Sequence, residues 1–413
     1  MKLHKPITAA IALLLLAANP VWAQNTNENR TITPPSTSDW DIPSSAQEGD
    51  QVDIKYTGDK YVKSVKVVPL PTSVTIKTTD CLAMMVGETL SLQAEIYPDI
   101  TGVDKTVTWA VSSGNAVTID ADGKVTAVQA GDATVKVTTN TNNKTDALTI
   151  SVKTIPSNCV AGVFSVGECK RVCFSKGNLQ YQPSSSTWRF AQYQYTLLDD
   201  NTTTHNTTSY TPTSADWIDL FGWGMWLDEI TDKAKITNTS TTNSDYAPAL
   251  NSDNEFASNK RTVDGAEWMT LSYSEWYYLR YTRTNASKLF GVATVNGVNG
   301  LILLPDGWTD PKPDGKEFKS GVASSSGVDY YKTVNEYTAA QWIEMESAGA
   351  VFLPAAGYRN GASVDNVGYG GYYWSSAAHS ATYACYLGFN SGNVYAYNGY
   401  RCDGQSVRLV RSL

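Results

Sequence analysis

The chain has 413 residues, 17% of them charged, and a net charge of −8. That acidic balance argues against nucleic acid and anionic membrane as partners. Its length exceeds one ordinary hydrophobic core, so two domains are expected, and the wealth of Thr, Ser, Asn, Tyr and Trp points to an all-β or loop-rich extracellular protein.

Residues 1–23 read as an export signal. Lys2, His4 and Lys5 give a positive start, Ile7 to Ala18 a short apolar stretch, and Val21-Trp22-Ala23 small residues before a cut, so the exported chain is expected to begin near Gln24. The apolar stretch is too short to span a bilayer and no later segment does better, so no membrane insertion is expected. No Cys follows the cut to take a lipid. The expected location is secreted or cell-surface, with the periplasm as the other exported compartment. Residues 24–71 read as a tether that is polar and Pro-containing at first, then alternates over Gln51–Val68 as one or two strands would.

Residues 72–153 carry strand signals about every ten residues, separated by Gly, Asp and Asn turns. Alternation is clear in Leu90-Ser-Leu92-Gln-Ala94-Glu-Ile96, Val107-Thr-Trp109 and Ala133-Thr-Val135-Lys-Val137. Together with Val86-Gly87-Glu88-Thr89, Tyr97-Pro98, Asp122-Gly123-Lys124-Val125-Thr126-Ala127 and Ala130-Gly131-Asp132-Ala133, this stretch resembles a bacterial immunoglobulin-like domain of group 2. The resemblance implies a β-sandwich with Trp109 between its sheets, acting as a spacer. A direct adhesive face is the less favoured reading, because a fold does not by itself assign a function.

Residues 155–413 form the second expected domain. Strands are expected at Val172–Ser175, Leu179–Tyr181 and Trp188–Phe190, then at Gly300–Pro305, Ala350–Pro354, Tyr373–Trp374, Ala384–Phe389 and Ser406–Val410. Ser272-Tyr-Ser-Glu275 is a capping box that starts one helix, and a second runs from Ala339 to Ser347. Long irregular connections with few helices point to an α+β domain whose loops carry the work. Phe174-Ser-Lys-Gly177-Asn178-Leu179-Gln180-Tyr181, Trp268-Met-Thr-Leu271-Ser-Tyr-Ser-Glu275-Trp276, Gly300-Leu-Ile-Leu-Leu-Pro305, Phe352-Leu-Pro354-Ala-Ala-Gly357-Tyr358-Arg359 and Ser406-Val-Arg408-Leu-Val occur in an order that resembles the C-type-lectin-like fold shared with formylglycine-generating enzymes and surface proteins of gut bacteria. The expected fold is therefore mainly β: an immunoglobulin-like sandwich followed by an α+β C-type-lectin-like domain.

The six cysteines, at 81, 159, 169, 173, 385 and 402, could pair in an exported chain. Cys81 is alone in its region and is expected to stay free. Cys159, Cys169 and Cys173 lie close enough for one local bridge. None has the paired spacing of a zinc site.

Function is most legible near the C-terminus. Residues 377–403 hold Tyr, Asn, Ser, Gly and Ala in no helical or strand period, and eight of the 24 tyrosines fall between Tyr369 and Tyr400. Tyr offers large, stiff, amphipathic contact area at low entropic cost, while Ser, Gly and Asn offer adaptable hydrogen bonds. The expected contact face is Tyr383, Tyr386, Tyr395, Tyr397, Asn398 and Tyr400, rimmed by His379, Asn390 and Asp403, with Tyr373 and Trp374 as core supports. Leu387 and Phe389 alternate with Tyr386 and Gly388 and are expected to face inward. The frame Gly371-Tyr-Tyr-Trp-Ser-Ser376 and Gly404-Gln-Ser-Val-Arg-Leu-Val410 resembles the borders of the variable segment in retroelement-diversified proteins, where template adenines are mutated, mainly in AAC codons. Codons still ending in C never encode Lys, Glu, Gln, Met or Trp, and residues 377–403 contain none of these. The tail is poor in two of them anyway: no Lys follows Lys332 and no Glu follows Glu346.

Catalysis has little material. The exported chain holds only His205 and His379, too few for a histidine triad or multi-histidine metal site. An oxidase like the formylglycine-generating relatives would need a reactive cysteine pair, and only Cys385 and Cys402 occur late, with no general base nearby in sequence. Asp199-Asp200-Asn201 and Asp253-Asn254-Glu255 offer oxygen ligands for Ca²⁺, but without a ligand loop of recognised spacing. No metal, cofactor or catalytic residue is therefore expected. The expected function is a non-catalytic adhesin or receptor for a protein, peptide or glycan, with an invariant structural or adhesive surface protein as the alternative.

Overall fold

A computed structural model describes residues 51–56, 62–68, 70–198, 215–246 and 259–413. The expected export signal, the tether up to residue 50, His205 and both acidic clusters lie outside the described residues. Mainly β, the chain divides between Lys153 and Thr154 into two compact units, each considered by itself below. The alternating stretch ahead of the first sandwich is a hairpin, Gln51–Tyr56 antiparallel to Val62–Val68.

The first unit is an immunoglobulin-like sandwich. Val107–Ser113, Gly131–Thr139 and Thr145–Lys153 pair antiparallel, and Ala83–Met85 joins the last of these in parallel. The other strands form a three-stranded group, Thr89–Ser91, Lys124–Ala127 and Val117–Ile119, and the pair Ser73–Lys77 with Gln93–Tyr97. Period-two alternation sends Ala133, Val135, Val137 and Thr139 inward from one strand. Ala133 and Val135 join the main cluster, which is aliphatic, with Leu90, Leu92, Val125, Ile150 and Val152, and Val137 joins a second, smaller one. Trp109 is half-buried and packs against both apolar clusters of the unit. A Cβ at Gly123, whose φ is +82°, would lie 3.1 Å from its ring and 2.7 Å from the Leu92 carbonyl, so glycine is needed there twice over.

The cysteine expectation needs one correction. Cys159 and Cys173 form the local bridge, but Cys81 is disulfide-bonded rather than free, and so is Cys169. Isolation along the sequence does not measure isolation in space, which is what geometry tests.

The second unit begins and ends on the same sheet. Lys170–Phe174 lies between Phe164–Gly167 and Val410–Ser412, antiparallel to both. A four-stranded sheet, ordered Glu336–Tyr337, Phe290–Val295, Val298–Leu303 and Val351–Pro354, forms its centre. Both expected helices start with complete capping boxes, Ser272 with Glu275 and Thr338 with Gln341. The expected strand at Ser406–Val410 is displaced to Val410–Ser412. Residues 406–409 instead bond to several different segments: Ser406 N–H donates to Tyr372 O, while Val407 O accepts from Leu179 and Leu409 O from Ser175. One strand partner cannot satisfy so dispersed a set.

Large aromatics hold this unit together. Trp223, Trp226, Trp268, Trp276, Trp342 and Trp374 are all fully buried. Trp223 Nε1 donates to Ser375 O at 2.9 Å and Trp374 Nε1 donates to Phe221 O at 2.7 Å, a reciprocal clasp between two distant stretches. Arg408 is also buried. Its guanidinium donates to Asn178 Oδ1 at 3.2 Å and to Gln194 Oε1, and burial lowers its pKa to about 10.

Candidate functional site

The segment without evident period is a regular sheet. Gly370–Ala378, Tyr383–Asn390 and Asn393–Tyr400 form three antiparallel strands in that order, so the last is an outer strand. The strand expected at Ala384–Phe389 is present as Tyr383–Asn390, but Asn393–Tyr400 is not among the expected strands, and the period of the middle strand is hidden from hydropathy because both of its faces are buried. Tyr386 points into one cluster while Leu387 and Phe389 point into another, as expected for the latter two.

Pairing fixes which side chains share a face. Trp374, Tyr386 and Tyr397 stand opposite one another, next to the row of Tyr372, Gly388 and Tyr395. The other face carries Tyr373, Leu387, Phe389 and Val394 and, further along, Asn398 beside Cys385, then Tyr383 opposite Tyr400. The predicted contact residues therefore do not converge on one face. Tyr386, Tyr395 and Tyr397 lie on the first, and Tyr383, Asn398 and Tyr400 on the second, because Tyr397 and Tyr400 are separated by an odd number of residues.

On the first face the rings form a T-shaped chain: Tyr358 to Tyr372 at 5.2 Å, Tyr372 to Tyr386 at 5.6 Å and Tyr386 to Tyr395 at 6.4 Å. Tyr386 is only 8% exposed, so it is a floor for its neighbours rather than an open contact. Burial pushes the Tyr386 hydroxyl well above its usual value and Tyr395 up to about 12. Gly388 makes this packing possible, since a Cβ there would stand 2.6 Å from the Tyr395 ring and 2.8 Å from that of Tyr386. Tyr397, at 61% exposure, stands clear of this floor. On the second face Tyr383 and Tyr400 stack at 4.8 Å. They occupy a non-hydrogen-bonded pair, where cross-strand side chains approach most closely, and the Tyr400 hydroxyl interaction raises the Tyr383 pKa.

The rim residues differ in kind. His379 is exposed, in the turn that joins the first two strands, with its N–H bonded to Tyr383 O. Asn390 serves the hairpin tip: its Oδ1 accepts from Gly392 N–H and from the Ser326 hydroxyl. The next residue, Ser391, is fully buried and hydrogen-bonds to Ser325 and Gly327, so the tip is pinned. Asp403 is partly buried, which raises its carboxyl to about 6 despite the opposing hydrogen bond from the Tyr400 N–H and the pull of Arg359. Cys385 and Cys402 are both buried and outside any disulfide, and burial raises the Cys402 thiol, which works against a thiolate nucleophile. Among the described residues no group of His, Cys, Asp and Glu has the arrangement of a metal site.

One feature was missed by sequence reasoning. Helix Tyr273–Tyr277 continues as a π turn over Tyr278–Thr282, and Tyr273, Tyr277 and Tyr281 line its exposed side. Ring centroids are 6.4 Å apart for the first pair and 4.8 Å for the second. The wider π turn carries Tyr281 back beneath Tyr277. Trp276 and Leu279 face the core on the other side, and the helix packs against all three strands of the sheet. Tyr281 Oη donates to Val394 O at 2.9 Å, tying the ladder to the outer strand. Tyrosine at every fourth position was the available signal.

Comparisons with known proteins agree with part of this. Residues 71–150 match the bacterial Ig-like domain (group 2) family, and residues 324–410 match a domain of unknown function, DUF8237. Lacto-N-biosidase of Bifidobacterium bifidum is 39% identical over 92 residues, 21% of this chain and 8% of that protein. An uncharacterized protein of Clostridium acetobutylicum is 36% identical over 93 residues, 20% of this chain and 23% of that one. The chain thus spans under a quarter of the length of either relative. Among solved structures, an intimin mutant of EHEC O157:H7 aligns over 22% of this chain and 55% of its own at 20% identity and a TM-score of 0.17. An intimin fragment bound to the intimin-binding domain of the translocated intimin receptor aligns over 21% and 33%, at 20% identity and a TM-score of 0.18. Among the described residues no helix is long and apolar enough to cross a membrane. Residues 71–150 are accordingly a bacterial immunoglobulin-like domain of group 2.

Proposed function

We propose that this is an exported, surface-displayed or secreted binding protein without catalytic activity. A tether and the immunoglobulin-like unit hold out a lectin-like unit whose C-terminal sheet contacts a protein, peptide or glycan. The observation that carries the reading is the exposure of Tyr397 and Tyr400 on a strand whose hairpin tip is pinned by buried Ser391. Stiff aromatic anchors on a rigid support are the arrangement in which few residues supply most of the binding energy. The buried Cys385 and Cys402 thiols, and the presence of one histidine, His379, among the described residues, speak for binding over turnover.

The test is a chain carrying Tyr395→Ser, Tyr397→Ser and Tyr400→Ser together, compared with the unaltered chain on glycan arrays and intact cells. The substituted chain keeps its circular dichroism spectrum and loses the binding that the unaltered chain shows. Equal binding by both would overturn the reading.

Diversification is a further part of the proposal. It is supported by the absence of Lys, Glu, Gln, Met and Trp from residues 377–403. It requires a near-copy of the codons for 370–411 close to the gene, differing where the copy has adenine, beside a reverse transcriptase. A locus with neither leaves a fixed binding face, invariant among cells of one population.

A further inference from the structure

We propose that the outer edge of the strand Asn393–Tyr400 takes an extended peptide as a fourth strand, with the tyrosine ladder of the neighbouring helix as one wall. This rests on the binding reading above and names its ligand class. Arg401 N–H donates to Thr382 O, which sets the hydrogen-bonded pairs of the hairpin at alternate residues. Residues 394, 396, 398 and 400 therefore turn their N–H and C=O groups away from the middle strand. The Val394 carbonyl is taken by Tyr281 Oη and the Tyr400 carbonyl by Asp403 N–H. Among the described residues nothing bonds to the N–H and C=O of Ala396 or to the N–H and C=O of Asn398, whereas the Tyr400 N–H is taken by the Asp403 carboxyl.

Those groups form a short template bounded at both ends. Tyr281 blocks one end and Asp403, which takes both the N–H and the C=O of Tyr400, the other, so the paired part of a ligand spans about three residues at strand rise. The ladder has the matching length. Eight helical residues from Tyr273 to Tyr281 rise about 12 Å, and four strand residues from Val394 to Asn398 rise about 14 Å. Edges this regular are usually blunted by charge, proline or a covering element. This one carries no Lys, Glu, Asp or Pro from Asn393 to Tyr400. Side chains of an added strand would alternate, one set against Tyr277 and Tyr281 and the other beside Tyr397. The ligand class is an extended peptide with apolar or aromatic residues at alternate positions.

The experiment pans a display library of random nine-residue peptides on the full exported chain and measures the affinities of the enriched sequences. Ala396→Pro and Asn398→Pro each delete one outward N–H while leaving the ladder to the middle strand intact, the placement in which proline is tolerated in a sheet. Each is expected to weaken binding on the order of tenfold, as for one lost hydrogen bond to a strand ligand. On the unaltered protein, peptides N-methylated at one phase of alternate residues lose binding and those methylated at the other phase keep it, a readout that does not depend on any variant folding. Binding indifferent to both the prolines and the methylation phase would overturn strand addition. So would enrichment of no peptide while glycans or folded proteins bind in a Tyr397-dependent way, an outcome that leaves the broader reading standing. A dimer in sedimentation that Asn398→Pro dissolves would assign the edge to a second copy of the chain and likewise overturn the proposal.

Discussion

The two units solve the same packing problem with different residues. In the immunoglobulin-like unit the main core is small aliphatic side chains from strands that bury one face, and its one large aromatic there, Trp109, is half-exposed. In the C-terminal unit six tryptophans are fully buried and the middle strand of the last sheet is covered on both faces. Aliphatic layers suit a repetitive sandwich. Indoles, which reach across irregular connections and donate a hydrogen bond at the far end, suit a loop-rich chain. The difference teaches where stability resides: the second unit rests on buried rings and polar anchors, while its outer strand Asn393–Tyr400 leaves Tyr397 and Tyr400 exposed.

The sharpest way to break this comparison is to remove an indole. Trp374→Ala deletes a fully buried ring and one of the two donors to the Phe221 carbonyl, leaving only the Gln405 N–H, at a cost of about 3–5 kcal/mol. Trp109→Ala in the first unit should cost clearly less, since its ring is partly in water already. Chemical denaturation of both variants gives the ranking, and equal losses would deny that the two units differ in this way.

Next in size is Gly388→Ala. Its Cβ would meet the Tyr395 and Tyr386 rings, and forcing them apart should cost about 1–3 kcal/mol. Gly297, where nothing stands near a Cβ, is the control for crowding, although its φ of +80° brings a backbone cost of about 1 kcal/mol of its own.

A smaller effect follows from Asp403, whose carboxyl is held at about 6 by burial. An unfolded Asp titrates near 3.9, so between these values the folded state holds more protons than the unfolded one. Stability is then fully present below about pH 4 and falls as pH rises through 6. The term is on the order of 1 kcal/mol once solvent at this partly exposed group is allowed for. Asp403→Asn should remove that slope relative to the unaltered chain when denaturation midpoints are compared at pH 4 and pH 7.

Smallest of all is Tyr397→Ser. At 61% exposure it should move stability by no more than about 0.5 kcal/mol, while its effect on binding is the large one. A thermal shift of many degrees would place Tyr397 with the supports and undo the contrast between frame and contact.

How much of this was legible in the sequence depended on which force shaped each part. The alternation of Ala133, Val135 and Val137 showed because one face of that strand is wet, and the helix starts at Ser272 and Thr338 showed because capping is local. The Asn393–Tyr400 strand did not show, since its register comes from cross-strand pairing with residues 383–390 and tyrosine satisfies either face. For the same reason Tyr386 was placed with the contacts rather than beneath them. The bond of Cys81 leaves no local trace because it depends on tertiary approach, and the tyrosine ladder shows in the sequence only as a four-residue spacing on a short helix that runs on as a π turn.

The Cys159–Cys173 bond has a consequence for how the second unit would bear a pull from its N-terminal side. Load reaching Cys159 crosses covalently to Cys173 and bypasses the 14-residue step between them, and load reaching Cys169 through its own disulfide arrives one residue ahead of Lys170. It therefore enters Lys170–Phe174 directly, the strand that also grips Val410–Ser412. Such a pull would reach that pair without first opening the Phe164–Gly167 hairpin.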